Sequence, residues 1–257
     1  MTQRVYGWVK QPENPDNVYI ENHSAFLLAA APLPQKVDLR PHCSPVFDQG
    51  QIGSCTGNSL VGALEYLENK DKDLTANGQF VHLSRLFVYY NERSVEGTIN
   101  EDAGALISDG IKVLVDQGAC SEATWPYDEK RLKDKPTDAA YQDAVTRKIT
   151  AYARVKQDMD SIKTALASGY PIAFGFTVYE SFESEEVAQS GQATMPGFFD
   201  KAVGGHAVLM VGYNDHTKTV IVRNSWGPDW GDNGYFTLPY KYIENPELAS
   251  DFWTITK

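Results

Sequence analysis

Cysteine is scarce in this chain. Cys43, Cys55 and Cys120 are the only three among 257 residues. An odd, small count excludes a disulfide framework, since at most one bridge can close within the chain and one thiol is then left over. There is no Cys-x-x-Cys or His-x-x-x-His pair, and His23, His42, His82, His206 and His216 are scattered. No metal site and no cofactor is therefore expected. No apolar run reaches the roughly eighteen residues of a membrane-spanning helix. Positive charge is short as well, with 34 acidic against 23 basic residues and a net charge of −11. That balance excludes nucleic acid and anionic membrane as partners and fits a soluble monomer. The opening "MTQRVYGWVK" has no apolar stretch followed by small residues, so no secretory signal is expected and the cytoplasm is the default location.

What the chain does have is a division into two halves. From Cys55 to Lys70, Leu60, Ala63, Leu64 and Leu67 recur at helical spacing, while Glu65, Glu68 and Lys70 take the opposite face. "LSRLFVYYNER" (83–93) and "AGALISDGIKVLVDQG", closed by Gly118, predict two more helices. The second half reads as strands: "YPIAFGFTVY" (170–179), "GHAVLMVGY" (205–213) and "TVIVRNSW" (219–226), then "GYFTLPY" and "DFWTITK". "NDHTK" is a hairpin-length turn between the second and third. Helices first and strands later predict an α+β fold. Its expected division is an N-terminal extension (1–36), a mainly helical lobe (37–150) and a β-rich lobe (151–257), the two lobes forming one integrated catalytic domain.

One cysteine is oddly placed. In "DQGQIGSCTGNSL", Cys55 stands where a glycine-punctuated loop turns into the first helix. A helix N-terminus offers unpaired N–H groups and partial positive charge, which favour a thiolate, the nucleophilic form. A cationic imidazole is the partner that would complete the activation. His206 is the one histidine at the head of a buried strand, and Asn224 ends the neighbouring strand, where its amide can orient the ring. Gln49, six residues before Cys55, can aim an amide N–H at an oxyanion, with the Cys55 N–H as second donor.

These residues carry a resemblance. "DQGQIGSC", "WPY" at Trp125–Tyr127, "GGHAVLMVGY" and "RNSWGPDWGDNGYF" stand in the order and at the distances of the papain-like cysteine peptidases. More narrowly, the chain resembles the short-prosegment microbial members that lack the usual active-site-loop disulfide. Ile52 replaces one cysteine of that bridge, and "NEDAGA" lacks the other.

The resemblance implies a two-lobed fold with the cleft between a helical left lobe and a β-barrel-like right lobe. It implies a cysteine endopeptidase acting on peptides or proteins through a covalent acyl-enzyme. Cys55, His206, Asn224 and Gln49 would be its catalytic residues, and Gly104, Ala105, Gly205 and Trp226 would bind substrate. Trp226 would cover the His–Asn hydrogen bond. An acyl transferase or peptide ligase using the same thioester, or an idle peptide-binding homologue, would share these residues.

Several ordinary structural roles compete with these. Asp102 can cap the helix that follows it, Trp230 can be core packing, and Cys43 and Cys120 are either two buried free thiols or one bridge. The main subsite, walled by Gly204, Gly205, Ala207, Leu106 and Ile107, is expected to take an apolar side chain, with no acid evident at a floor near Ala249 and Ser250. Residues 1–36 are too short and too proline-broken for a helical propeptide lobe. Either they lie in the groove through Tyr6, Trp8 and Val9 and restrain the enzyme, or they cover an apolar surface of the β-rich half.

Overall fold

A computed structural model describes residues 4–12, 14–30, 32–70, 80 and 82–257. Three helices dominate the first half: α1 (Cys55–Asn69), α2 (Arg85–Glu96) and α3 (Ile107–Asp116). Each end has a local cause. The Ser84 hydroxyl accepts from the Phe87 N–H at 3.1 Å and starts α2, and Gly97, at φ 75°, ends it. Gly118 (φ 80°) turns the chain after α3.

Seven strands follow the order of a single antiparallel sheet. They are β1 (Lys36–Asp38), β2 (Ala151–Arg154), β3 (Ile172–Tyr179), β4 (Ala202–Asn214), β5 (Thr219–Arg223), β6 (Tyr235–Pro239) and β7 (Ala249–Thr256). The path is β2-β7-β3-β4-β5-β6. β1 pairs with residues 212–214 of β4, just past the end of its pairing with β3. Among the described residues four shorter α-helices follow: α4 (Asp138–Ala144), α5 (Met159–Ala167), α6 (Glu185–Ser190) and α7 (Tyr240–Ile243). This is a mixed α+β fold. Among the described residues no helix is long and apolar enough to cross a membrane.

Two apolar cores sit on opposite faces of the sheet's central strands. Leu209 and Val211 of β4 face the core built on α1, α2 and α3, and Val208 and Met210 face the second core with Phe174, Phe176 and Phe236. The period-2 alternation of β4 thus serves two interiors, which explains its unbroken apolar run.

That central position corrects one expectation. α1 has no solvent face along most of its length, and Glu65 is buried rather than exposed. Its carboxylate accepts from the Leu83 N–H at 2.7 Å and from the Ser44 hydroxyl, with the Arg223 guanidinium, itself bound to Ser44, close by. A buried carboxylate needs such partners. Cys43 and Cys120 are both buried free thiols, so no bridge joins them.

Candidate active site

The loop before α1 is held from two sides. The Gln49 N–H donates to the Ser225 carbonyl at 2.8 Å, and the Ser225 hydroxyl donates to Gln49 Oε1 at 2.6 Å. On the other side, Asp102 accepts from the Gly53 N–H with both carboxylate oxygens (3.0 and 2.9 Å) and from the Tyr89 hydroxyl at 2.5 Å. Asp102 therefore does not cap the next helix; the residue flanking α3 is Leu106, with no side-chain cap. The carboxylate ties Gly53, next to Ile52, to the "NEDAGA" segment, the two stretches that lack the cysteines of the usual bridge. A two-pronged charged hydrogen bond takes over that connection.

Cys55 is the first residue of α1 and fully buried, with the Ala207 and Gly7 backbone N–H groups beside its sulfur. Ala207 follows His206 on β4, the strand against which α1 packs. His206 Nε2 lies 2.8 Å from Asn224 Oδ1, which also accepts from the Ser225 N–H at 2.9 Å. Nδ1 is buried without a hydrogen-bond partner. The Trp226 ring stacks on the imidazole at 5.0 Å with 23° between planes. Trp230 meets Trp226, Phe182 and Phe236 and is core packing.

Residues 4–11 form a strap across these groups. Arg4 lies over the Trp226 ring at 4.7 Å. The Val5 carbonyl accepts from Gln49 Nε2 at 3.2 Å. Tyr6 stands edge-on to His206 (6.0 Å, 78°), and its hydroxyl donates to Glu183. Ala105 receives Val9 N–H at its carbonyl (3.1 Å) and donates its own N–H to the Gly7 carbonyl (2.7 Å), while the Trp8 N–H donates to the Gly205 carbonyl at 3.1 Å. Gly104 has φ 72°, and a Cβ there would lie 2.1 Å from the Gly7 oxygen. Each of the eight residues picked out in the sequence thus touches the strap or stands directly behind it.

The strap also changes the electrostatics expected of a helix N-terminus. Burial pushes the Cys55 thiol up to about 11, opposed by the Ala207 and Gly7 N–H groups and assisted by Glu92. Burial pushes His206 down to about 4 against the Asn224 hydrogen bond, with Arg4 adding to the fall. In this covered state desolvation outweighs the helix dipole, and thiol and imidazole are both neutral at pH 7.

Three contributors were not visible in the sequence: Asp102, Glu183 and Asp251. Asp251 Oδ2 accepts from the Trp8 indole N–H at 3.1 Å and from the Gln11 N–H at 2.8 Å. An acid therefore does border the Trp8 pocket, one residue past the floor expected at Ala249 and Ser250. Only a signal for the local backbone of β7 would have revealed it.

The chain is similar to known proteins over most of its length. The family described as papain family cysteine protease matches residues 33–253. The chain belongs to the papain family of cysteine proteases. An uncharacterized peptidase C1-like protein of Acanthamoeba polyphaga mimivirus is 41% identical over 98% of this chain and 86% of that one. A cathepsin B-like protein of Giardia intestinalis is 31% identical over 82% of this chain and 71% of its own. Among solved structures, xylellain, a cysteine protease from Xylella fastidiosa, superposes with a TM-score of 0.87 at 41% identity, covering 98% of this chain and 96% of that one. The chain is accordingly a peptide hydrolase with a papain-like fold.

Proposed function

We propose that this papain-family protease works through Cys55, His206, Asn224 and Gln49, and that residues 4–9 hold it latent. The observation that carries the reading is that one extended strap meets Cys55, Gln49 and His206, with Asn224 behind the imidazole. The strap places an N–H beside the Cys55 sulfur, a carbonyl on the Gln49 amide and the Tyr6 ring against His206.

With the strap displaced, water and substrate reach the thiol, and the desolvation that keeps it neutral is relieved. The Cys55 proton passes to His206 Nδ1, the ring nitrogen left unpaired by the Asn224 bond. The thiolate attacks the scissile carbonyl carbon, and the carbonyl oxygen becomes an oxyanion held by Gln49 Nε2 and the Cys55 N–H. Collapse breaks the C–N bond as the imidazolium protonates the leaving amine. The neutral imidazole then takes a proton from water, whose oxygen displaces the thiolate from the thioester and releases the acid. Asn224 keeps the ring oriented, and Trp226 shields that hydrogen bond.

Peptide hydrolysis by a chain with its strap released by Gly7→Ala tests the assignment. Cys55→Ala and His206→Ala on that chain abolish turnover, and Gln49→Ala lowers kcat by about 10²–10³-fold. Asn224→Ala leaves a small residue of activity, because its role is to orient the imidazole. Undiminished turnover with Cys55→Ala overturns the mechanism.

A further inference from the structure

The Trp8 pocket is roomy for a structural reason. The indole lies where side chains at two strand positions would otherwise stand. A Cβ at Gly175 would come within 1.9 Å of the ring, and one at Gly205 within 2.8 Å. Two glycines on the paired strands β3 and β4, two positions apart in register, have opened a slot for a large flat side chain.

Beside that slot, β7 departs from regular pairing. Its register with β3 slips between Ala173 and Gly175, which face Trp253 and Ser250. One extra residue is thus accommodated in β7, and Asp251 takes a left-handed φ of 59°. Only glycine, asparagine and aspartate adopt that conformation with any ease. Bulges re-aim side chains, and this one buries a carboxylate that is 2% exposed. The two oxygens have different roles. Oδ1 is engaged by Arg154 Nη1 at 3.4 Å, with the guanidinium lying over the Trp253 ring at 4.9 Å. Among the described residues Oδ2 is bound by the strap alone, through the Trp8 indole and the Gln11 N–H. Once the strap leaves, this oxygen faces an open slot and water, and a side chain that refills the slot without a donor would leave it buried and unmet, which is costly.

We infer that Asp251 sets the preference of this subsite, selecting substrates whose side chain in the Trp8 slot is bulky and carries an N–H donor, tryptophan first. The inference rests on the peptidase reading above and adds a substrate class to it. It replaces the purely apolar preference that the small, uncharged wall suggests. A site that leaves its own buried acceptor unpaired rejects an apolar isostere more strongly than shape alone would.

The test uses the full-length chain carrying Gly7→Ala and Trp8→Ala, which removes the strap's grip and its occupant. Two peptides are compared, identical except that the residue entering the slot is tryptophan or its benzothienyl isostere, in which sulfur replaces the ring N–H. The tryptophan peptide is hydrolysed with kcat/KM about 10-fold or more above its isostere. Asp251→Ala brings that ratio close to unity. Because Asp251→Ala also removes the Arg154 partner, Asp251→Asn serves as a second variant that keeps an acceptor and the backbone conformation, and it retains part of the preference. A ratio within about twofold of unity in the parent chain overturns the inference. If neither peptide is cut, the peptidase reading falls. The affinities of the same two peptides for the chain with Cys55→Ala then decide the subsite separately, an equal affinity overturning it and a preference for tryptophan sustaining it.

Discussion

Two stretches of the N-terminal segment contact the rest of the protein in different ways. Residues 4–11 are held by backbone and polar contacts in the cleft: Val5 on Gln49, Gly7 and Val9 on Ala105, Trp8 on Gly205 and Asp251. Residues 18–29 are held by apolar burial. Ile20 and Phe26 belong to the core of the β-rich half, and Phe26 meets Tyr170 edge-on at 5.0 Å. The Val18 carbonyl accepts from Arg154, and Ala29 N–H donates to Ser168 Oγ at 2.7 Å. Water can replace most of what the first stretch makes, but not the second. On the proposed reading the first is a removable plug, while the second is packed into the core of the β-rich half. The structure lays residues 4–11 beside the site and buries Ile20 and Phe26 in the β-rich half; that the first stretch restrains the enzyme is the proposal that Gly7→Ala tests. Deleting everything before Leu33 would mix the two effects, since it strips Ile20 and Phe26 from the core together with the plug.

The largest effect should come from Gly7→Ala, which attacks the plug alone. A Cβ at Gly7 would lie 1.7 Å from the Gly53 carbonyl oxygen, which is backbone and cannot step aside. In the closed state Cys55 ionises only as pH rises toward about 11, and His206 takes a proton only as pH falls toward about 4. At pH 7 the thiolate fraction is then on the order of 10⁻⁴. Release lowers the first value and raises the second, so alkylation of Cys55 at pH 7, located by mass spectrometry to separate it from Cys43 and Cys120, accelerates by about 100-fold or more. An unchanged labelling rate in a folded Gly7→Ala chain would show that the strap is not the lock.

Phe26→Ala should do the reverse. It empties a site that is only 6% exposed and costs about 3–5 kcal/mol of stability, read as a lower denaturant midpoint. The labelling rate of Cys55 at pH 7 stays at its parent value. If Phe26→Ala frees the thiol as Gly7→Ala does, the two stretches are one cooperative unit and the distinction between them collapses.

The groups proposed to do the chemistry were legible in the sequence because the residue types and spacing that such a reaction needs leave a pattern. Cys55, His206, Asn224 and Gln49 carry their own local signatures, as do the long periodic helices and the apolar strands. What stayed hidden depends on contacts between distant segments. The burial of Glu65 follows from α1 being packed on both sides. Asp102 reads as a helix cap until Gly53 is seen to face it. Asp251 sits inside an ordinary strand pattern, and only the slipped register with β3 turns it into the slot. β1 and β2, three and four residues long, give too short a pattern to mark a strand, and β1 forms because β4 extends past β3 and leaves an edge to pair.

The smallest effect is expected at the outer end of the plug. Arg4 combines a 4.7 Å contact over Trp226 with a 3.9 Å ion pair to Asp48, whose side chain is 52% exposed. An exposed pair of this kind contributes about 0–1 kcal/mol and is screened by salt. Stacking on the indole adds a comparable amount. Arg4→Ala should therefore raise Cys55 labelling at pH 7 by no more than about tenfold, well short of Gly7→Ala. Removing a positive charge that depresses His206 also lets the imidazole protonate at slightly higher pH, which shifts the acid limb of the profile upward. Raising the salt concentration should reproduce part of the Arg4→Ala effect in the parent chain and add little in the variant. If Arg4→Ala instead matches Gly7→Ala, the plug is held by charge at its tip, and the backbone clamp at Ala105 and Gly205 is secondary.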